Sequence, residues 1–372
     1  MGLKLNKIGY IPHSRDLLHP ADRRRLGFWA NQRELTLEIE DPLASDILVL
    51  SSAANYGFWL KKAKQPIILD LVDAYIGENP KFLRDFLRNI VRTFRGSSSI
   101  RWITYTSHLK FACQKSSAII VASEEQRIAL EALNKNVYVI PDSHSELQEN
   151  KSLAISPTST SIQDASKGYI FWEGFGYTLK HFNFIAKELD SFLRKYDWKM
   201  YLVTVEEFSR WGGYIGRVNT RKLLKRIFPT SHDRIEIIPW TIENLNEYAA
   251  RSKFGVIPID PSDKFAELKS ENKLLSMWSL GLPVLFSDIP SYSRVARISE
   301  SESAIASRNS WAMKLKFFAE NPNELSRLKK SGAKYIAERH SKEILLQSWS
   351  CAITGVEISN PQNFKAVRPI SK

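Results

Sequence analysis

The chain has 372 residues, 43% of them hydrophobic, which excludes a disordered protein and is more than one ordinary core holds. Its net charge of +13 arises mainly in residues 151–372, which contain 33 Lys and Arg and 23 Asp and Glu. This excess of positive charge favours anionic partners. Cys113 and Cys351 give no disulfide framework, so we expect two buried thiols in a reducing compartment. Without a signal-peptide pattern or a membrane-spanning run, we expect a cytoplasmic protein, at most peripheral on the inner face of a membrane.

The first part of the chain alternates short apolar runs with helical patterns. Strands are predicted at Lys7–Ile11, Leu35–Ile39, Asp46–Leu50, Pro66–Asp70, Ser117–Ala122 and Val137–Ile140. Continuous Ile, Val and Leu runs that are separated by helices are typical of a parallel sheet covered on both faces. Residues 1–145 are therefore predicted to form an α/β domain of Rossmann type.

A polar stretch rich in Ser and Thr, residues 146–167, is predicted to be a linker. The same alternation then starts again. Strands are predicted at Tyr169–Trp172, Lys199–Val205, Ile235–Ile238, Phe254–Ile259 and Val284–Ser287, and helices at Leu179–Arg194, Glu243–Ala250, Asn272–Leu280 and from Trp311 to about Ile353. This predicts a second Rossmann-like domain at 168–345 and a C-terminal segment at 346–372, with disorder after Pro361.

Two loops of the second domain have features of a phosphate site. The first, GFGYTLK, follows a predicted strand and contains Gly174, Gly176 and Lys180; such glycines let a phosphate approach the backbone, although they also suit an ordinary tight turn. The second, ELKSENKLLSMWSLGLPV, carries a set of polar residues at a predicted helix start: Lys269, Asn272 and Lys273, with Ser270 as the expected N-cap. Cations in a first helical turn oppose the helix dipole, which is reasonable if an anion binds there; the alternative is a solvated basic helix start.

These motifs resemble the second domain of GT-B glycosyltransferases, especially the family-4-like group (glycosyl transferases group 1). Lys269 to Val284 matches K-S-x-N-K followed by G-L-P-V, Gly174 and Lys180 match a glycine and a lysine six residues apart, and AIIVASEEQ and VYVIPD resemble the end of the first domain. The resemblance implies a GT-B type α/β fold with two Rossmann-like domains facing an interdomain cleft. It also implies sugar transfer from a nucleotide sugar, with UDP or GDP as the expected nucleotide, and without a metal or other cofactor.

The same resemblance assigns roles to individual residues. It implies that Lys180 and Lys273 contact the diphosphate and that Glu267 lies near the donor sugar. The sequence departs from the family at three positions: Phe175 where Arg is common, Ser276 where Glu is common at the ribose, and Val72 where His is common, next to Asp73.

Polar residues after the strands of the first domain are candidates for the acceptor side. His13 or Asp16 could accept a proton from an acceptor hydroxyl, and Asp73 is a second candidate base or hydrogen-bond acceptor. Arg23 and Arg24 could bind an acidic group, and the alternative is a plain helix start with the arginines in solvent. In that alternative Asp22 caps the helix, and Asp70 likewise caps a turn. No Asp-x-Asp pattern occurs at this position, so no metal site is predicted.

Residues Lys81–Arg95 are predicted to form a basic amphipathic helix. Arg84, Arg88, Arg92 and Arg95 recur at spacings of four and three and therefore share one face. Such a helix can lie on an anionic membrane, or it can cover the sheet with its arginines in solvent.

The sequence thus predicts a glycosyltransferase of polysaccharide or glycan biosynthesis, with a nucleotide sugar and a saccharide or lipid-linked acceptor as partners. Three alternatives remain at this point: a nucleotide-sugar isomerase of the same fold, a carbohydrate-binding protein that has lost catalysis, and a nucleic-acid-binding protein. The last is disfavoured because no nucleic-acid-binding signature accompanies the charge.

Overall fold

A computed structural model of the protein describes residues 7–72, 82–94, 104–149, 168–210 and 215–357. The candidate base Asp73, most of the predicted linker and the predicted disordered tail lie outside these ranges. The chain divides into two compact units. Unit 1 comprises Met1–Ser143, Leu268–Ser270 and Ser341–Lys372, and unit 2 comprises His144–Glu267 and Glu271–His340.

Unit 1 contains a parallel sheet of six described strands in the order β2-β1-β3-β4-β5-β6. The strands are β1 Ile8–Ile11, β2 Leu37–Glu38, β3 Ile47–Ser51, β4 Ile67–Leu71, β5 Ala118–Val121 and β6 Val137–Val139. The helices are α1 Pro20–Arg23, α2 Leu26–Gln32, α3 Tyr56–Lys62, α4 Phe82–Phe94, α5 Tyr105–Lys115 and α6 Glu124–Leu130, with a C-terminal helix α15 Lys342–Glu357. Each of the six strands predicted for this part of the chain has its counterpart.

The buried strands of unit 1 supply two cores, one on each face of the sheet. Along β3, Ile47 and Val49 join one core while Leu48 and Leu50 join the other, because successive side chains of a strand point to opposite faces. This explains why the strand is apolar throughout rather than alternating.

Helix α15 returns to unit 1 and completes one of these cores. Trp349 is buried there, and Trp29 Nε1 donates a hydrogen bond to Ser350 Oγ at 3.1 Å. Of the two cysteines, Cys113 is buried as expected, but Cys351 on this helix is exposed, so the expectation of two buried thiols was wrong for Cys351. It lies on the outer face of α15, away from the apolar stripe that carries Trp349.

Unit 2 contains a second parallel sheet of six described strands, in the order β11-β8-β7-β12-β13-β14. The strands are β7 Tyr169–Glu173, β8 Lys199–Thr204, β11 Ile235–Pro239, β12 Phe254–Ile257, β13 Val284–Ser287 and β14 Ile305–Ala306, and a separate antiparallel hairpin joins β9 Glu207–Arg210 to β10 Ile215–Asn219. The helices are α7 Ser145–Glu149, α8 Ala186–Lys195, α9 Thr220–Ile227, α10 Ile242–Ala250, α11 Asn272–Ser279, α12 Pro290–Ile298, α13 Trp311–Glu320 and α14 Pro322–Arg339. Counted within the unit, this strand order is 3-2-1-4-5-6, the doubly wound order of nucleotide-binding folds.

Unit 2 differs from the sequence prediction in several places, and helices α9 and α12 are among the elements that were not predicted. The predicted helix Leu179–Arg194 is a 3-10 helix, Gly176–Phe184, followed by α8. The first residues of the predicted linker form α7, because Leu147 is an apolar side chain that the unit 2 core buries. The hairpin and the two-residue strand β14 were not predicted, since short, charged strands leave little apolar periodicity.

None of the helices in the described ranges is long and apolar enough to cross a membrane.

Candidate functional site

The candidate site of unit 2 lies where its strand order reverses. The strands β7 and β12 are neighbours there, while their chain connections lead to opposite sides of the sheet. Doubly wound sheets bind ligands beyond the carboxyl ends of the strands at such a switch point. The loop after β7 is the glycine loop GFG, and the segment after β12 leads to the start of α11. The two loops selected from the sequence are therefore neighbours.

Lys273 is held at the carboxyl end of β7. Its Nζ atom lies 4.3 Å from the centre of the Trp172 ring, which is a cation–π contact. Trp172 is itself buried and packs edge-on against Phe182. The ring attracts the ammonium, so the Lys273 side chain is held beside the glycine loop.

Gly174 is the residue that allows this position of Lys273. Its φ is +151°, which disfavours other residues, and a Cβ atom placed on it would collide with Lys273 Nζ and lie 3.1 Å from the Trp172 ring. The backbone is held on both sides: Gly174 N donates to Val203 O at 3.2 Å, and Thr204 Oγ1 donates to Gly174 O at 2.6 Å. The positive φ and the Trp172 ring thus favour glycine here, and any larger residue would displace the Lys273 ammonium.

Helix α11 begins at Asn272, the residue predicted from the sequence. Its N-cap is Glu271, without a side-chain capping bond, so the prediction of Ser270 as N-cap was wrong. The reason is tertiary: Glu271 is buried, and Arg294 Nη2 of α12 donates to its Oε1 at 2.9 Å, which fixes where the helix starts. Lys273 follows in the first turn, where the helix dipole favours an anion.

Lys180, the second predicted phosphate ligand, lies on the 3-10 helix after the glycine loop. Its Nζ is 2.5 Å from Asp263 Oδ2, and its side chain is largely exposed. Burial acts to raise the pKa of Asp263, but the hydrogen bonds from Lys180 and Phe265 N and the nearby positive charge together lower it. The structure therefore shows Lys180 bound to a carboxylate, and its contact with a diphosphate stays a prediction.

The remaining residues predicted for this site are placed as follows. Asn272 is the half-buried first residue of α11, Glu267 is exposed, and Gly176 is buried with its Cα against the Phe208 ring of the hairpin. Lys269 is grouped with unit 1. Their proposed roles stay predictions.

In unit 1, the loop after β1 meets the end of β3, which is the point where that sheet reverses its strand order. His13 Nε2 lies 3.3 Å from Ser52 Oγ, and its ring stacks on His19 at 4.7 Å between centroids. Burial lowers the pKa of His13 to about 4, so its imidazole is neutral at pH 7 and able to accept a proton. Asp16 is exposed, and its carboxylate accepts a hydrogen bond from Leu18 N at 3.0 Å.

The buried side chain of Asp22 anchors the loop after β1 by hydrogen bonds. The expectation that it caps a helix was wrong, because His19 is the N-cap of α1 and its Nδ1 accepts from Ala21 N at 3.2 Å. The buried Asp22 carboxylate instead accepts from Tyr10 OH at 2.7 Å and from His13 N at 2.9 Å. It therefore positions the backbone next to His13.

Arg25 forms a buried ion-pair network below the same strand ends. Its Nη2 lies 2.6 Å from Asp70 Oδ1, and its Nη1 lies 3.1 Å from Asp142 Oδ1. One alternative predicted that Asp70 caps a turn. Asp70 instead pairs with Arg25, which is fully buried. Of the neighbouring arginines, Arg23 and Arg24 are half-buried, and their proposed role in binding an acid stays a prediction.

Helix α4 packs with polar side chains inward, whereas a helix that covers a sheet is expected to bury its apolar side chains. Asp85 and Asn89 are buried, and Asp85 Oδ2 accepts from Thr106 N at 2.9 Å near the start of α5. Arg88 and Arg92 turn inward too, with their guanidinium carbons 5.6 and 4.9 Å from the centre of the Tyr105 ring. The apolar side chains are outside: Leu83, Leu87, Val91 and Phe94, exposed by 66, 50, 40 and 82%. The expectation that the arginines share a solvent face was therefore wrong for Arg88 and Arg92.

Within the ranges that the structure describes, no three His, Cys, Asp or Glu side chains come together as metal ligands. Sequence reasoning missed Trp172, Glu271, Arg294 and the partners of Arg25. Trp172 ends an apolar strand and has no motif around it, and the other pairs join positions that are distant in sequence.

No protein-family model matches the sequence, and no curated protein matches it. Solved structures do match the fold. WaaG, described as a glycosyltransferase involved in lipopolysaccharide biosynthesis, matches with a TM-score of 0.54 at 9% identity, over 94% of this chain and all of WaaG. The fold is that of GT-B glycosyltransferases.

Two further GT-B structures support this. TarM matches with a TM-score of 0.53 at 12% identity over 82% of this chain, which spans only 54% of TarM. A trehalose-6-phosphate protein from E. coli, bound with UDP-2-fluoro glucose, matches with a TM-score of 0.54 at 12% identity, over 85% of this chain and 74% of that protein. The prediction of two Rossmann-like sheets of GT-B type is confirmed.

Proposed function

We propose that this protein is a glycosyltransferase that moves a sugar from a nucleoside-diphosphate sugar to a saccharide or glycolipid acceptor. One observation carries the proposal: the Lys273 ammonium is held over Trp172 and against Gly174 at the switch point of unit 2. A fixed cation, a glycine loop and a helix N-terminus together are the elements that bind a diphosphate. The GT-B fold supports the choice of a sugar nucleotide among diphosphate ligands.

In this reaction the nucleoside diphosphate is the leaving group, and negative charge grows on it as the glycosidic bond breaks. Lys273 and the first turn of α11 would stabilise that charge because they are fixed in place beforehand. We propose that these groups serve in place of a metal ion, so that a chelator leaves turnover unchanged.

The acceptor hydroxyl must lose a proton during the transfer. Three residues remain proposed to act at the sugar-transfer step: His13 and Asp73 on the acceptor side and Glu267 near the donor sugar. His13 is the one whose environment favours the role, because its imidazole is neutral at pH 7 and bonded to a hydroxyl of Ser52.

The proposal is tested by titrating UDP, GDP, ADP and TDP, and then their sugars, into the protein by calorimetry. Lys273→Ala is expected to weaken binding of the preferred diphosphate by about 10- to 100-fold, since a charge-assisted contact is lost. Lys253→Ala, at an exposed lysine of the same unit, is the matched control and should bind as the wild type does. Equal affinity of Lys273→Ala and the control would exclude Lys273 from the site.

Turnover distinguishes transfer from other reactions of sugar nucleotides. With the sugar nucleotide found by calorimetry, a glycosylated acceptor is expected, with and without EDTA. An epimerised sugar nucleotide without transfer would instead show an isomerase.

We further propose that unit 1 docks on an anionic membrane surface through the outer face of α4. Its exposed side chains Leu83, Leu87, Val91 and Phe94 form an apolar stripe, whereas the polar side of the helix is engaged inside the unit. Helix α5, which packs against α4, adds the exposed Lys110 and Lys115, and α3, which packs against α5, carries the exposed Lys61 and Lys62. The only carboxylate in α3, α4 and α5 is Asp85, which is buried, so this surface is apolar and cationic, as an anionic interface requires.

Vesicle sedimentation tests this docking. The wild type should sediment with vesicles of phosphatidylcholine mixed with phosphatidylglycerol, and much less with phosphatidylcholine alone. Leu87→Ser with Phe94→Ser should abolish sedimentation, whereas Ile128→Ser, at an exposed isoleucine of α6, should not. Sedimentation that is unchanged in the double variant would contradict the assignment of the surface.

A further inference from the structure

The 3-10 helix that follows the glycine loop has one buried and one exposed face. Gly176, Leu179 and Phe182 are buried, whereas Tyr177, Lys180 and Asn183, the next residue in each turn, are exposed. In a 3-10 helix, residues three apart lie directly above one another. Tyr177, Lys180 and Asn183 therefore form a single row of side chains on the surface of unit 2.

An aromatic pair stands at the start of this row. The rings of Phe175 and Tyr177 are stacked, with 5.6 Å between centroids and an angle of 8° between planes. Both are large and exposed, by 53 and 60%. Because the rings are stacked on each other, the pair presents the outer face of a ring beside the candidate ligand site, and this flat apolar platform is the kind of exposed patch that marks binding.

The backbone under the pair is fixed. Gly176, between the two aromatic residues, has the Phe208 ring of the β9–β10 hairpin so close that no side chain would fit at this position. The turn is closed by Thr178, whose Oγ1 and N donate to Phe175 O at 2.7 and 2.9 Å. The platform is thus preorganised rather than a feature of a loose loop, and binding need not order it first.

Hydrogen-bonding groups continue the same row. Lys180 is ion-paired with Asp263 at 2.5 Å, and the exposed Asn183 donates from its Nδ2 to Lys180 O at 2.9 Å. An apolar plane next to a carboxylate, an ammonium and an amide matches the two sides of a pyranose ring: a face of C–H groups and a rim of hydroxyls. A nucleobase would use the plane but has no set of hydroxyls for the charged pair.

We propose that Phe175 and Tyr177 form a stacking platform for a pyranose ring, with the Lys180–Asp263 pair bound to its hydroxyls. The platform adjoins Gly174, so the ring lies next to the diphosphate position at Lys273. This inference rests on the proposed function for the identity of the ring, which is either the sugar of the donor or the first sugar of the acceptor. The donor sugar and the acceptor sugar would make the same contacts with the platform, and kinetic measurements distinguish them.

The direct test does not require turnover. In saturation-transfer difference NMR, the protein's aromatic protons are irradiated in the presence of the methyl glycosides of glucose, galactose, mannose and N-acetylglucosamine. At least one glycoside should receive saturation on its ring C–H protons from the wild type. In Phe175→Ala with Tyr177→Ala its affinity should fall about tenfold or more, as the loss of stacked aromatic contacts predicts. Phe317→Ala, at an exposed phenylalanine of α13, is the matched control.

Calorimetry and kinetics then locate the ring. If it belongs to the donor, the double variant loses affinity for the sugar nucleotide while it binds the bare nucleoside diphosphate as the wild type does. If it belongs to the acceptor, donor affinity is retained and KM for the acceptor rises about tenfold.

Two results would overturn the inference. In one, the double variant matches Phe317→Ala in all three measurements. In the other, it loses the bare diphosphate and the sugar nucleotide equally, which would show stacking on the base. A wild type that binds glycosides through the platform but no nucleotide would reject the proposed glycosyltransferase and keep the platform, so the two failures are distinguishable.

Discussion

The strand ends of the two units carry charge in opposite ways. In unit 1, the guanidinium of Arg25 is fully buried and paired with Asp70 and Asp142. In unit 2, the ammonium of Lys273 lies over an aromatic ring beside a glycine loop. Its two carboxylate partners tie Arg25 to the unit's own core, whereas the half-buried Lys273 is positioned at a strand end by an aromatic ring.

This contrast shows why sheet architecture alone does not locate a site. Both sheets are parallel, six-stranded among the described residues, and reverse their order next to their first strand. What separates them is whether the charged residue at that point is part of the unit's own packing or is presented to a ligand. Removing Arg25 should therefore damage the fold, and disturbing Lys273 should damage binding.

The largest expected effect is on stability, from Arg25→Ala. The variant leaves the buried Asp70 carboxylate without its main partner, which should lower the free energy of unfolding by about 3–5 kcal/mol. Urea denaturation measures this, with the exposed Arg15→Ala as a control expected within about 0.5 kcal/mol of the wild type. Replacing both partners, Arg25→Met with Asp70→Leu, should recover much of the loss. If Arg25→Ala were as stable as Arg15→Ala, the network would not be structural.

The second prediction concerns the pH dependence of folding stability, for which each unit contributes one histidine. Burial lowers the pKa of His340 to about 4, and neither of its ring nitrogens has a hydrogen-bond partner; in unit 1, burial lowers the pKa of His13 to about 4 as well. A histidine whose folded pKa is lowered contributes its full stability above the unfolded value near 6.5 and loses it as the pH falls towards 4.

For His340 the shift corresponds to about 3 kcal/mol between those limits. Histidine NMR signals should show both rings neutral down to about pH 4.5, where only a minority is charged. His340→Leu should remove its share of the acid destabilisation. A His340 ring that titrates near 6.5 would show that water reaches it.

Gly174→Ala is expected to have the smallest effect on stability, together with a specific effect on binding. The new Cβ meets Lys273 Nζ and the Trp172 ring at a positive φ, which should cost about 1–3 kcal/mol and displace the ammonium. Gly216→Ala is the matched control, since Gly216 also has a positive φ, +54°, but open space around it. Both variants should be destabilised, and only Gly174→Ala should lose diphosphate affinity by calorimetry. Equal binding by the two would separate Lys273 from the site.

Among the described strands of the two parallel sheets, the sequence predicted all except β14, because the signal of a buried strand is local. Buried parallel strands such as Ile47–Ser51 are apolar throughout, and their spacing by helical patterns indicates two α/β units. Gly174 and Lys273 were also found from the sequence, since a glycine after a strand and a lysine in a first helical turn are recognisable within a few residues. Asp73 and the linker beyond residue 149 stay predictions, because the described residues do not include them.

The tertiary structure decided which partner each polar residue takes. Lys180 follows the glycine loop as a phosphate ligand would, but Asp263, 83 residues away in sequence, binds it. The sequence pattern places Arg88 and Arg92 of α4 on one face that could lie in solvent, but both side chains contact Tyr105 inside the unit. Local periodicity determines which residues share a strand or a helix face, whereas the environment of that face depends on packing between segments distant in the chain.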